Sequence, residues 1–514
     1  MEDYLDVSFS LDLKNKRERI IYRFFEILPA ILSLGTLILA IFLSFFVPVG
    51  IAIFIIAFDV YWLLKSFYFS FYQINTFLKL KKNLKIDWMK KLKSLSQKDF
   101  KLKVKDWKEI YHLILLPMFK EGKEIVRSTL QSLVNCQYPK EKMIIILAIE
   151  ERAGPKIQKM AKKIEEEFKG KFFKFLVTIH PQNIKGEIKG KGSNVRFAIE
   201  KAKEKIINPL KIPPEKIIVS IFDIDTRVLP QFFALLTYRY LTAKNPLLSS
   251  FQPIPLYTNN FWQAPFFSRL VASSSTFWQM IQQQRPEQLV TYSSHSLPFK
   301  VLKEISYPFN LISDDSRIFW KAYLYYNGNY KVVPLCYPVL MDAVLAKNLW
   351  RTFVNQYKQQ RRWAWGCENI PYLLFGFLKN KKIPLFEKIR HSFIILEGFW
   401  SWATASLLIF ILGWLPIILG GPNFKATLLS FNLPKITSFL MTLAMIGLIV
   451  SVIISLSLFN PPFKSFSRCF LFCLQWLFLP FVLIIFGSIP ALEAQIRLML
   501  KKPLGFWVTE KVRK

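Results

Sequence analysis

Ile217-Ile218-Val219-Ser220-Ile221-Phe222-Asp223-Ile224-Asp225-Thr226 is an apolar run that stops on two aspartates one residue apart. Uninterrupted Ile and Val with a polar stop read as a strand buried on both faces, as in parallel α/β sheets. Asp223 and Asp225 then stand at its carboxyl end. Alternation along a strand sends side chains i and i+2 to one side, so the pair would present oxygens together to a hard cation such as Mg2+ or Mn2+. Such a cation would neutralise a diphosphate. The same residues would also suit a turn that caps the next helix, so the pair alone decides nothing.

Outward from this run, apolar stretches of strand length alternate with charged, helix-like stretches from Tyr111 to about Leu345. A first strand is predicted over 112–117, a helix over 121–134 and a second strand over 143–149 that ends in Glu150-Glu151. An amphipathic helix over 157–169 and a third strand over 172–179 follow. This alternation argues for a doubly wound, mostly parallel sheet, in which ligands gather at the carboxyl ends of the strands. Glu121, Glu150 and the Asp223/Asp225 pair all lie just past such ends.

The flanks are of a different kind. The 514 residues are 52% apolar and 16% aromatic yet carry a net charge of +35, too apolar for a purely soluble protein. Lys14, Lys16, Arg17, Arg19 and Arg23 precede an apolar stretch over 24–46, long enough to cross a bilayer and too long for a cleavable signal. A second span is predicted over 51–71, where Asp59 and Lys65 must pair, snorkel or face protein. Basic residues at both ends of this hairpin, with a strongly basic run over 79–108, place the middle of the chain in the cytoplasm. Three further apolar segments cover 393–419, 436–458 and 470–489, with Pro480 and Pro490 expected to kink the last. Two spans plus three put the tail outside, whereas Lys501, Lys502, Lys511, Arg513 and Lys514 call for the inside; one segment enters without crossing, or one crossing is hidden. The positive charge follows the apolar segments and no nucleic-acid motif accompanies it, so nucleic acid is not an expected partner. Five cysteines show no C-x-x-C pair and no disulfide framework, which suits a reducing compartment and offers no zinc site.

Four signals carry chemistry. Pro117-Met-Phe-Lys-Glu121 closes the first strand, and Gln137-Tyr138-Pro139 precedes the second. The D-x-D run comes next. Ile312-Ser313-Asp314-Asp315 follows a polar loop, Thr291 to Ser296, and opens an amphipathic segment; Asp314 and Asp315 would also serve as a helix N-cap pair. Gln359, Arg362 and Trp363 form Q-x-x-R-W on a basic, aromatic helix over 350–365, which puts an amide, a guanidinium and an indole on one face. The apolar stretch 370–378, too short to span, reads as an interfacial element beneath the site.

In this order and between membrane segments, these motifs resemble the family 2 membrane glycosyltransferases with a GT-A fold, the group that includes cellulose, chitin and hyaluronan synthases. The resemblance covers Tyr111 to Trp363, and Phe506-Trp507-Val508-Thr509-Glu510-Lys511 looks like the family's closing pattern. It implies an α/β GT-A-type, doubly wound, mostly parallel sheet inserted between transmembrane helices. It implies Asp223 and Asp225 as ligands of Mg2+ or Mn2+ on the diphosphate of a nucleotide sugar, usually a UDP-sugar. Glu150 takes the position where the family commonly has an aspartate at the nucleobase, and Glu121 joins the donor side. Lys191 and Asn194, in Gly190-Lys-Gly-Ser-Asn194, look like the family's lysine-containing loop near the donor, and would otherwise form a solvated basic turn. Asp315 matches the general base, with Asp314 in place of the usual Glu and Ser313 in place of the usual Thr. Arg362 would grip the diphosphate, and Trp363 would stack on the acceptor sugar beside Gln359, unless it is only an interfacial anchor. Gln252, with Pro253 and Asn259 or Asn260, resembles a segment that shapes the acceptor side. His295 is a further acceptor candidate, though a lone His in a polar loop is commonly plain surface.

The physics agrees with these roles. Sugar transfer needs a carboxylate to take the acceptor hydroxyl's proton and cationic groups where charge gathers on the leaving diphosphate. Direct displacement with one base inverts the anomeric carbon. The loop Thr291-Tyr-Ser-Ser-His-Ser296 departs from the glycine-rich acceptor motif of polymerising members, which leaves processivity open. The expected organisation is a cytoplasmic basic segment over 1–23, a transmembrane hairpin over 24–75, a basic linker over 76–110 and a catalytic domain over 111–348. The Q-x-x-R-W and interfacial helices then cover 349–391, a C-terminal transmembrane region 392–500 and a basic tail 501–514. Expected partners are a nucleotide-sugar donor, a growing polysaccharide or lipid-linked acceptor, and membrane lipid. Single addition to a lipid carrier stands as the alternative within the class. A catalytically inactive membrane scaffold, or a transporter with a nucleotide-sensing domain, is the alternative outside it.

Overall fold

The computed structural model describes residues 4–462 and 465–505; the 506–511 pattern and the tail residues Lys511, Arg513 and Lys514 lie outside the described residues. Its centre is a sheet of eight strands: β1 (Tyr111–Met118), β2 (Met143–Glu150), β3 (Lys174–His180), β4 (Ile217–Ile221), β5 (Arg227–Val228), β6 (Ser249–Leu256), β7 (His295–Pro298) and β8 (Lys331–Leu340). Their order is β3-β2-β1-β4-β7-β6-β8-β5. The first four run parallel, β7 is antiparallel to both β4 and β6, β6 and β8 are parallel, and β5 lies antiparallel on β8. The sheet is therefore mixed and mostly parallel.

Continuous apolar strands follow from burial on both faces. Leu113, Leu115, Ile144, Ile146 and Val219 enter one apolar core, while their neighbours Ile114, Leu116, Ile145, Leu147 and Ile218 enter another on the opposite face. Leu113 stands in register with Ile144 on one side and Val219 on the other, which aligns the carboxyl ends of β2, β1 and β4. Helices Lys123–Val134, Pro155–Glu167 and Lys191–Ala202 connect or follow the parallel strands.

Several expectations are revised. β4 ends at Ile221, and Asp223 to Thr226 form a turn closed by the Thr226 N–H on the Asp223 carbonyl at 2.8 Å, so strand alternation does not place the two aspartates. His295 and Ser296, read as loop, belong to β7; the Ser220 and Ser296 hydroxyls pair at 2.8 Å, which satisfies polar groups inside the sheet. The stretch 76–110 is no free linker. The second long helix runs on to Lys85, donates from Thr76 Oγ1 to the Met280 carbonyl at 2.6 Å and from Asn83 Nδ2 to the Cys336 carbonyl at 3.1 Å, and Trp88, Leu92, Trp107 and Ile110 are buried. The helix Asn369–Lys379, expected at the interface, is packed largely against protein. Ile370, Tyr372, Leu373, Phe375 and Phe377 are buried between the helices Lys16–Phe46, Asp314–Tyr325 and Leu385–Phe410, which leaves little apolar face for lipid.

Among the described residues five helices are long and apolar enough to cross a membrane: Lys16–Phe46, Pro48–Lys85, Leu385–Phe410, Leu428–Phe459 and the interrupted rod Ser467–Met499. The rod tightens to a 3-10 turn at Gln475–Phe478 just before Pro480 and widens to a π turn at Ile484–Ser488 just before Pro490, where each proline lacks an N–H for the regular ladder. Lys65 pairs with Glu397 of the third helix, which also accepts from Tyr61 at 2.8 Å, and Asp59 is buried against protein. Apolar length with internally compensated charge suits association with a membrane.

His112 on β1 is fully buried, with Nε2 against Thr237 Oγ1 at 2.8 Å and the rings of Tyr138 and Phe233 packed on it. Burial pushes its imidazole down to about 3. The unfolded chain would bind a proton below about pH 6.5 that the folded one refuses, so stability should fall on acidification through that range, by at most about 1.4 kcal/mol per pH unit for this group. Unfolding of the detergent-solubilised protein between pH 7 and 5 should show this slope, and His112→Asn should flatten it. An equal slope in both proteins would remove His112 from the account.

Candidate active site

One ammonium organises the site. Lys191 opens its helix 8% exposed and donates to Asp223 Oδ1 at 2.8 Å and to both oxygens of Asp315 at 2.9 and 3.0 Å. Burial opposes its charge, but Asp223, Asp315 and Asp314 outweigh that and hold the ammonium above the ordinary lysine range. The approach is close because residue 192 is glycine. A Cβ there would stand 2.6 Å from the Pro308 carbonyl oxygen and 3.2 Å from Asp314 Cβ.

The two acidic residues that open the helix Asp314–Tyr325 differ. Asp314 is buried, accepts from the Tyr307 hydroxyl at 2.9 Å, and is pushed up to about 7 by burial and then by Asp315. Asp315 keeps a side chain 23% exposed, and Thr291 Oγ1 donates to its carbonyl at 2.6 Å. Asp315 is thus the accessible carboxylate of the pair. Ser293 Oγ donates to the other oxygen of Asp223.

The segment carrying Asp314 and Asp315 hangs on Glu368, which sequence reasoning missed. Glu368 is 1% exposed, accepts through Oε1 from the Ser313 N–H at 2.8 Å and Oγ at 2.6 Å, and accepts through Oε2 from Trp365 Nε1 at 2.8 Å. Arg317, also buried, donates to Asn369 Oδ1 at 2.7 Å and to the Val7 carbonyl at 3.1 Å while stacking on Tyr372. A glutamate five residues beyond the Q-x-x-R-W tryptophan, in an otherwise apolar and aromatic stretch, was the available signal.

A second carboxylate group adjoins the first. Asp225 is fully buried, and its Oδ2 accepts from the Asp342 N–H at 2.9 Å. Asn259 Nδ2 donates to the Asp225 carbonyl at 3.1 Å and to Asp342 Oδ1 at 2.8 Å, so Asp342, just past β8, is a further acid that the sequence did not single out. Tyr257 joins the groups: burial and then the charges of Asp223 and Asp225 push its phenol up, and Arg362 opposes them. Arg362 therefore lies near enough to Tyr257 for its charge to be felt there. Trp363 is half-buried and packs against the apolar cluster that contains Tyr257.

The remaining expected residues are placed as follows. Glu150, 5% exposed, pairs with Arg152, whose guanidinium lies on Phe119 at 4.2 Å; a small cavity of about 40 Å³ opens beside them, lined also by His180, Glu187 and Ser193. Glu121 Oε2 accepts from the Phe119 N–H at 2.8 Å. Asn194 is buried and ties its helix to β2 through the Ala148 carbonyl at 2.8 Å. Gln252 is fully buried, and its Oε1 accepts from the Tyr292 N–H at 2.9 Å, so it props the 291–296 loop from behind. His295, likewise fully buried, donates from Nδ1 to the Tyr292 carbonyl at 2.9 Å, 3.7 Å from Asp315. Gln359 is 7% exposed and accepts from Gln356 at 3.3 Å. Asn194, Gln252 and His295 thus each hold backbone of the surrounding segments.

Among the described residues no group of three or more His, Cys, Asp or Glu is arranged to hold a metal. The donor chemistry nevertheless fits a small hard cation. Mg2+ commonly takes one or two carboxylates and completes its shell with phosphate oxygens and water.

No family model and no curated protein sequence matches the chain. Among solved structures it is similar to a mannosyltransferase from Pyrobaculum calidifontis in complex with GDP-Man and Mn2+, at 13% identity and TM-score 0.39, over 78% of this chain and 99% of that one. It is also similar to S. aureus TarS 1-349 in complex with UDP-GlcNAc, at 11% identity and TM-score 0.35, over 68% of this chain and 91% of that one. The functional reading rests on the site itself.

Gly192→Ala should destabilise the protein by about 1–3 kcal/mol, because the Pro308 backbone must retreat from the added methyl. Thermal unfolding in detergent measures this. An unchanged midpoint would show that the lysine turn has room to spare.

Proposed function

We propose that the chain is a membrane-embedded, inverting glycosyltransferase of family 2 with a GT-A fold. It would move a hexosyl group from a nucleotide diphosphate sugar, a UDP-sugar first among candidates, to a growing polysaccharide or a lipid-linked acceptor. One observation carries the reading: a single buried ammonium joins Asp223, beyond β4, to Asp315, 92 positions later in the chain. Carboxylates from distant segments and a cation in one cleft are what displacement at a nucleotide sugar requires.

Asp315, the exposed member of its pair, is assigned the acceptor hydroxyl's proton. While Lys191 holds it, both oxygens of Asp315 are occupied by one ammonium. An incoming diphosphate offers Lys191 a stronger partner, so donor binding would free Asp315 and place positive charge on the leaving group at the same time. Arg362 adds charge from the other side. Asp314, buried against Tyr307, fixes the turn that presents Asp315. Glu150 with Arg152 would line the nucleobase side, and Trp363 with Gln359 the acceptor side. Asp223 and Asp225 would hold Mg2+ or Mn2+, which supplies Lewis-acid neutralisation of the diphosphate when bound. The catalytic domain is assigned to the cytoplasmic face of the cell membrane, from the basic residues that flank the first hairpin.

The test incubates purified protein with a panel of labelled nucleotide sugars and sizes the products. Transfer from one donor, lost on chelation of divalent metal, is expected. A ladder would indicate polymerisation, and one discrete lipid-soluble species single addition. Asp315→Asn should lower transfer by about a hundredfold to ten-thousandfold while donor binding survives, the range a general base typically contributes. Normal turnover by that variant at equal abundance would remove Asp315 from the role.

A further inference from the structure

A second site lies on the far side of the Gln359 helix. Between that helix and the end of the last membrane rod is a cleft of about 490 Å³, within the range of small-ligand sites. Its wall is apolar: Ile489, Leu492 and Ile496 lie along Ile489–Met499, the segment in which an apolar membrane helix gives way to charge. Its rim is polar and net basic.

Glu493 accepts from the Tyr357 hydroxyl at 2.8 Å, Arg361 Nη1 at 2.6 Å and Arg497 Nε at 2.7 Å. One carboxylate thus balances two guanidinium groups, and among the described residues the hydrogen bonding of the Arg497 side chain is through Nε. Lys502 adds a third cation. The helix closes in a Schellman turn, with Lys501 at φ +54° and the Lys502 N–H on the Arg497 carbonyl at 2.8 Å, which returns Lys502 to the cleft beside Arg497.

We infer that this cleft binds the phosphate headgroup and proximal chain of an anionic membrane lipid. Apolar wall and cationic rim meet where a bilayer presents acyl chain and phosphate together, and the planar fork of a guanidinium matches phosphate geometry. Arg361 and Arg362 are consecutive. The first is held by Glu493 and the second lies near Tyr257, so an occupied cleft steadies the helix that carries both. The site stands independently of the glycosyl-transfer reading, because its test measures binding alone.

Full-length protein in neutral detergent is titrated with dioctanoyl phosphatidic acid, with dioctanoyl phosphatidylcholine and inorganic phosphate as comparison ligands. Saturable binding of the phosphatidic acid is expected, at least about tenfold tighter than either comparison ligand, and Lys502→Gln should weaken it about tenfold. Lys502 is exposed, so its replacement leaves the fold intact. Ile496→Glu, which puts a charge in the apolar wall, should abolish binding; if that variant does not fold, Lys502→Gln decides. Unchanged affinity in Lys502→Gln, or equal binding of inorganic phosphate, overturns the proposal.

Discussion

The ion triad of Asp223, Lys191 and Asp315 sets the terms for the rest of the molecule. Asp223, Asp225, Asp314, Asp315 and Asp342 gather around one end of the sheet, and like charges at such spacing resist burial unless cations or protons relieve them. Lys191 supplies one cation, Arg362 near Tyr257 another, and Asp314 is the carboxyl that rises toward neutrality. The close approach of the lysine turn to the Asp314 segment then demands a residue without a side chain at position 192. Electrostatic relief in the cleft thus dictates a packing choice several ångströms away.

Holding the triad takes elements from both ends of the chain. Glu368 grips Ser313 from beyond the Gln359 helix, Arg317 reaches the Val7 carbonyl, and Lys321 pairs with Asp6 at 2.6 Å. The N-terminal stretch before the first membrane helix is therefore part of the wall behind Asp315. Its residues Tyr4, Leu5 and Val7 enter the same apolar core as Val219. The second membrane helix clasps the opposite side through Thr76 and Asn83. The pair of long apolar helices and the sheet with its helices are joined by hydrogen bonds from Thr76 and Asn83.

Sequence alone revealed much of this. Strands buried on both faces announce themselves as unbroken apolar runs, so β1, β2 and β4 were legible, as were the five long apolar helices and the convergence of Asp223, Lys191 and Asp315. What was not legible depended on contacts between distant positions. The turn after Ile221 replaced strand alternation because β4 is only five residues long. Gln252 and His295 stand in the sequence as acceptor-side candidates, and each also satisfies backbone of the 291–296 loop from inside. Asn369–Lys379 had the length and flanks of an interfacial helix, but its aromatic side chains found protein on every side, as Tyr22 against Phe375 shows at 5.4 Å. Glu368 carried no motif, and its importance emerges only once Ser313 lies against it.

The central claim is that Lys191 physically couples Asp223 to Asp315, and a double-mutant cycle on thermal unfolding tests it directly. Lys191→Met and Asp315→Asn are compared singly and together in the solubilised protein. Side chains in direct ion-paired contact are expected to show a coupling of about 0.5–3 kcal/mol, with the double variant less destabilised than the two single effects combined. Strict additivity within error would mean that the two groups do not meet, and the shared cleft would be lost with them.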